Sequence, residues 1–249
     1  MCGSEQHEPR AGNGEECDDP VSTSFSRRRL LGTTFAGATA SVFAAAGAEI
    51  ALPPPAGAQT IKSPADALRA LVEGNQRFVE RKLTFYQEDL TILQENTAEK
   101  QEPFASVLSC ADSRVPVELA FDQSIGHVFV NRVAGNIATT EIIASIEYGA
   151  AVLGTKVIMV LAHGNCGAVK ATIDGKAVPG QISSLYRYIR PAINQAGANL
   201  RPATEANAKI QAQLLKESSP VLAELIKGGK LSVVAAFYDV ESGKVTLLS

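Results

Sequence analysis

Three apolar-rich runs of strand length, residues 104–109, 127–133 and 157–162, cross the middle of this chain, and two of them end on metal-binding side chains. Short runs of this kind, separated by helix-length stretches, are what a parallel sheet buried between helices requires. The first stops at Cys110-Ala111-Asp112-Ser113-Arg114 and the third at His163-Gly164-Asn165-Cys166. Together they offer two thiolates and one imidazole. That is the donor set of a catalytic zinc whose fourth position is left for water. Asp112 and Arg114 flank the first thiolate as an acid–base partner and the cation that orients it.

The first sixty residues read differently. Residues 1–24 hold acids, Gly, Pro and two cysteines with almost no large apolar side chains, so they cannot bury a core and are expected to be disordered. Ser26-Arg27-Arg28-Arg29-Leu30-Leu31 then leads into a run of small apolar residues ending near Ala48, followed by Pro53-Pro54-Pro55 and Ala56-Gly57-Ala58. Twin arginines before a weakly hydrophobic segment and an A-x-A site mark a twin-arginine (Tat) signal over residues 25–58. A membrane anchor is the competing reading. Glu49 and the many Gly and Ala residues make the run too short and too weakly apolar for one, so no permanent span is expected after processing. Residues 59–249 then form the catalytic domain.

Removing residues 1–58, with their seven acids and four bases, from the chain's 26 and 23 leaves 19 of each. A neutral domain lacks the basic face that nucleic acid or an anionic membrane demands, which points to a small substrate. Only Cys110 and Cys166 of the four cysteines stay in it. In an exported protein such a pair first suggests a disulfide. A bare staple explains neither His163 nor the Asp112 and Arg114 beside it. Tat export also lets a protein fold and load metal in the reducing cytoplasm.

Ser63-Pro64-Ala65-Asp66 predicts a helix start, with Ser63 as N-cap and Pro64 at the first helical position. A second helix is expected around residues 90–101. Others are expected over 139–153, 164–173, 182–193, 204–217 and 220–226, with two last strands at 231–237 and 244–248. The alternation predicts an α/β fold with a central, mainly parallel sheet flanked by helices. Cys110 and His163 fall at the carboxyl ends of their strands, where open α/β sheets bind ligands. Cys166 reaches the same point from the start of the next helix.

These residues resemble the β-class carbonic anhydrases over roughly residues 63–248. Cys-x-Asp-x-Arg followed by His-x-x-Cys is a specific pair of motifs, whereas either half alone is weak. Gly74-Asn75-Gln76-Arg77-Phe78, Arg132-Val133-Ala134-Gly135-Asn136 and Ile146-Glu147-Tyr148 add to the match. The resemblance implies four parallel strands with one added strand, and a homodimer or higher even oligomer whose N-terminal helices embrace the partner. It implies one Zn2+ per subunit on Cys110, His163 and Cys166, with Asp112 and Arg114 as the catalytic dyad. Gln101 matches a glutamine that reaches across the dimer to substrate, Phe129 and Tyr148 match apolar pocket positions, and Gly167 matches a glycine whose N–H faces the substrate oxygen.

The reaction so implied is reversible hydration of CO2 to bicarbonate by a zinc-bound hydroxide. Some members inhibit themselves with bicarbonate in a pocket built on a tryptophan three residues before the first ligand. Val107 stands there and the chain has no tryptophan, so the open, constitutively active form is expected. Two thiolates neutralise the metal, so its water should be less acidic than in a three-histidine site, and activity should rise above neutral pH. Hydration of CS2 or COS on a similar site is the nearest rival, and a zinc-binding scaffold without turnover is the second. A Cys2His alcohol dehydrogenase needs a G-x-G-x-x-G that the chain lacks. The leader predicts export through the Tat machinery, to a periplasm or a thylakoid lumen.

Overall fold

The computed structural model describes residues 61, 63–84, 100–176 and 178–249. The leader, residues 1–58, and most of the helix expected around 90–101 lie outside the described residues. Helix α1 (Pro64–Val79) starts as the sequence predicts: Ser63 Oγ accepts the Asp66 N–H at 3.1 Å. Ala67 and Leu71 are fully buried and seat the helix on its own sheet. Gly74 follows, where an added Cβ would stand 1.8 Å from the Phe121 carbonyl oxygen. Only glycine permits that approach. Asn75 then donates to the carbonyls of Ala120 and Gly243, each at 2.9 Å, and accepts from the Val245 N–H at 2.8 Å. The Gly-Asn pair thus pins α1 to two remote segments at once.

Among the described residues the strands are β1 (Ala105–Ser109), β2 (Val128–Arg132), β3 (Val157–His163), β4 (Ser232–Tyr238) and β5 (Val245–Leu248). They order as β2-β1-β3-β4-β5, with β5 antiparallel to β4 and the other pairings parallel. Strands β1 and β3 are buried throughout. Leu108, Ile158 and Val160 pack to one side with Ile146, Ala208, Leu215 and Leu222. Val107, Met159 and Leu161 pack to the other with Ala67, Leu71 and Phe121. Burial on both faces is why these runs are apolar at every position rather than at alternate ones.

Among the described residues the other α-helices are α2 (Val117–Ala120), α3 (Thr140–Glu147), α4 (Gly167–Asp174), α5 (Tyr186–Ala196), α6 (Leu200–Ser218) and α7 (Pro220–Lys227). Several depart from expectation: the helix expected over 182–193 opens as a 3-10 turn, Ile182–Leu185, before α5 begins at Tyr186. The helix expected over 139–153 is α-helical only to Glu147 and then widens into a π-helical turn, Tyr148–Val152. Gly149 lies so close to the sheet there that a Cβ would stand 2.8 Å from Ser106 Oγ and 2.9 Å from the Phe129 ring. Helix α4 begins three residues late because Asn165 takes a φ of 55°, turning the chain before Cys166 caps the helix. Helix α6 begins four residues early, at Leu200. No helix among the described residues is long and apolar enough to cross a membrane.

Candidate metal centre

Ser109, the last residue of β1, pairs with Leu161 of β3, so Cys110 and His163 leave the sheet side by side. Cys166 is the N-cap of α4, three residues beyond His163. The sulfurs of Cys110 and Cys166 and a ring nitrogen of His163 lie within 4.8 Å of one another, and all three residues are buried. Both cysteines are free thiols, so the disulfide alternative is not adopted. His163 Nδ1 lies 2.9 Å from the Gly164 carbonyl, a contact that fixes the proton there and leaves Nε2 as the lone-pair donor. Nε2 is buried without a hydrogen-bond partner. A buried ring nitrogen in that state, aimed with two sulfurs at one point, fits a tetrahedral divalent ion.

The neighbouring Cys166 thiol first, and then, against burial, His163 and the backbone N–H groups of Gly135 and Asp112 hold the Cys110 thiol below its ordinary value. Cys110 in turn, with burial, pushes Cys166 up. The Gly135 N–H donates to the Cys110 sulfur at 3.3 Å.

Asp112 stands beside the ligands rather than among them. Its Oδ2 is 3.9 Å from His163 Nε2. Arg114 grips the carboxylate with Nε at 2.9 Å and Nη2 at 2.8 Å, and its backbone N–H adds a third bond at 3.0 Å. These bonds, chiefly those of the guanidinium, hold the carboxyl far below the usual carboxylate range although burial opposes them. Arg114 also donates to the Asn165 carbonyl at 3.2 Å, tying the pair to the second ligand turn. Arg132 donates to the carbonyls of Cys110 at 2.9 Å and Asp112 at 2.6 Å. Gly167 opens α4, where a Cβ would meet nothing within 4 Å, so local packing does not demand a glycine.

The chain by itself does not bring every expected residue to the metal ligands. Phe129 pairs with Ser106, four residues before Cys110, which separates them by about 13 Å along the strands. Its ring meets that of Tyr148 at 6.2 Å, and Tyr148 is 47% exposed. Gln101 is exposed and precedes β1, at the same amino end of the sheet as the two aromatics. The parallel register thus splits the expected site into a metal half and an aromatic half. Sequence reasoning missed the Gly135 N–H bond to sulfur, although Gly135 belongs to one of the matched stretches. It also passed over Asn207 and Gln211, buried amides four apart on α6 whose spacing on an otherwise apolar face was a usable signal.

The class is therefore a mainly parallel α/β protein with a two-cysteine, one-histidine metal site at its strand ends and an ionised carboxylate beside it. A sequence profile of the family described as carbonic anhydrase matches residues 105–245. Carbonic anhydrase 2 of Mycobacterium tuberculosis is 31% identical over 193 residues, covering 74% of this chain and 93% of that protein. The carbonic anhydrase of Mycolicibacterium smegmatis is 32% identical over 195 residues, 75% of this chain and 94% of that protein. Among solved structures, the β-carbonic anhydrase CafA of Aspergillus fumigatus superposes with a TM-score of 0.60 at 26% identity, over 73% of this chain and 90% of that one. The chain belongs to the β-carbonic anhydrase family.

Proposed function

We propose that the protein catalyses the reversible hydration of CO2 to bicarbonate and a proton, with one Zn2+ per subunit held by Cys110, His163 and Cys166. The observation that carries this is the convergence of the three ligand atoms within 4.8 Å beside a carboxylate that Arg114 holds ionised. The metal, when bound, supplies Lewis-acid activation of water at neutral pH. Asp112 accepts a hydrogen bond from the reacting water and turns its lone pair toward the carbon of CO2. Arg114 keeps that carboxylate charged and outside the ligand set, which favours the open, constitutively active form. The Gly167 N–H, at the positive end of α4, receives the oxygen on which charge develops.

Gln101, Phe129 and Tyr148 act on the partner's site in a homodimer, since they gather at the sheet end away from their own Cys110. The aromatic pair excludes water from CO2 and the glutamine amide donates to the product oxygen. Export through Tat with cleavage after Ala58 completes the reading and delivers the enzyme to a periplasm or thylakoid lumen. In an exporting host the mature protein then begins at Gln59 by intact mass, and Arg27→Lys with Arg28→Lys retains the full-length chain.

Stopped-flow CO2 hydration by the mature protein, run beside Asp112→Ala and after chelation, tests the activity. Turnover should fall about 100-fold in the variant, vanish on metal removal and return with zinc. Turnover indifferent to the metal would sink the reading, and parallel assays with CS2 and COS separate the rival substrates.

A further inference from the structure

Asn207 and Gln211 lie one turn apart on α6, with 0% and 1% of their surfaces exposed. Buried amides are costly unless bonded, so their partners are informative. Asn207 Nδ2 donates to the Gly135 carbonyl at 2.8 Å, and Asn207 Oδ1 accepts from Gln211 Nε2 at 3.2 Å. Gln211 Oε1 accepts the Ala138 N–H at 2.9 Å, and Nε2 also donates to the Tyr188 carbonyl on α5 at 3.1 Å. Two of these bonds clamp opposite ends of one short loop, 135–138. That loop carries two successive left-handed residues, Gly135 at φ 80° and Asn136 at φ 43°. A strained backbone persists only when its surroundings over-determine it. The Gly135 N–H, on the other side of the Cα whose carbonyl Asn207 holds, is the one that donates to Cys110 Sγ at 3.3 Å. A Cβ at Gly135 would stand 2.7 Å from Ile189, so α5 closes the loop from the remaining side.

From this chain of contacts we infer that Asn207 and Gln211 are positioning residues for the metal site: through the 135–138 loop they aim the Gly135 N–H at the Cys110 sulfur and thereby set how strongly that sulfur donates to the metal. The inference rests on the proposed metal function of Cys110, but its readout is spectroscopic and independent of turnover. An N–H···S bond withdraws electron density from a thiolate, and loss of such outer partners lowers metal affinity by about 10- to 100-fold.

The test uses the full mature protein loaded with cobalt(II). In Asn207→Leu, which keeps the branching of the side chain and removes both bonds, the sulfur-to-cobalt charge-transfer band should move to lower energy, and zinc affinity by chelator competition should fall about tenfold. Gln211→Glu, which retains the acceptor for the Ala138 N–H and loses the donors, should move the band the same way by less. Gln213→Leu, on the exposed face of the same helix, controls for helix stability and should leave band and affinity unchanged. A merely structural role would lower the melting temperature without moving the band. An unmoved band with unchanged affinity in whichever of the first two variants folds overturns the inference, and so does failure of both to fold. Wild-type protein that shows the two-sulfur band yet hydrates no CO2 would instead overturn the proposed function and leave this inference standing.

Discussion

A carboxylate two residues from a metal-binding thiolate has two possible uses, as a ligand or as a hydrogen-bond acceptor for the reacting water. In the proposed mechanism the choice at Asp112 falls to Arg114, whose two guanidinium bonds and backbone N–H occupy both oxygens. The planar fork matters, because a lysine offers one point charge where the site uses two parallel donors. Arg114→Ala is expected to keep its zinc stoichiometry while CO2 hydration falls about 100-fold, and Arg114→Lys should recover only part of that loss. Gly167 supplies a second residue-level prediction. Its Cβ position is open space, so Gly167→Ala should fold with a stability change of about 0.5 kcal/mol or less. A raised KM at unchanged melting temperature would then report crowding of the substrate oxygen, whereas unchanged kinetics would show that the substrate does not approach the Gly167 Cα.

At the scale of elements, the docking of α1 depends on two contacts that can be tested separately. Gly74→Ala forces a methyl group against the Phe121 carbonyl and should cost about 1–3 kcal/mol in chemical denaturation. The second contact is the ion pair between Arg77 and Asp122, whose carboxylate side chain is fully buried. Burial alone would raise the Asp122 pKa, but Arg77 and two bonds from Thr84 outweigh it and leave the carboxyl below its ordinary value. A depressed folded-state value means that the contribution is complete above about pH 4 and is lost as pH falls through that lower value. Asp122→Asn should therefore cost about 2 kcal/mol at pH 7 and narrow the gap to wild type under acid. Equal losses at pH 7 and pH 3 would show that the charge is not what matters. The elements themselves were largely legible, because strand length and the Ser63-Pro64 start are local signals. The π-helical turn at Tyr148 was not, since it arises from Gly149 meeting Ser106 and Phe129 on strands remote in sequence.

At the scale of the whole molecule, the separation of Gln101, Phe129 and Tyr148 from Cys110 makes complementation the informative experiment. A chain carrying Asp112→Ala and a chain carrying Gln101→Ala with Tyr148→Ala should each be nearly inactive alone. Under the proposed shared arrangement, co-refolding the two would give heterodimers in which one site draws intact groups from both chains. About a quarter of wild-type activity is then expected for random pairing. Activity no higher than that of the parents would place all of these residues within one chain's site and remove the shared arrangement.

The order of residues along the chain was enough to pick out the donor set and the family. Cys110, His163 and Cys166 are soft or borderline donors whatever the fold, and apolar runs ending on them predict ligands at strand ends. The Asp112–Arg114 pair is just as local, since its bonds span two residues. What the chain's order could not decide is which way each remote group faces. Parallel pairing of β1 with β3 brings Cys110 to His163 across 53 positions, while the pairing of β1 with β2 leaves Phe129, and Tyr148 beside it, at the other end of the sheet. Only packing could show that two amides on α6 brace the loop whose N–H meets the Cys110 sulfur. The physical reason is range: side-chain chemistry and short turns are fixed by neighbouring residues, whereas register and buried hydrogen bonding exist only after distant segments have met.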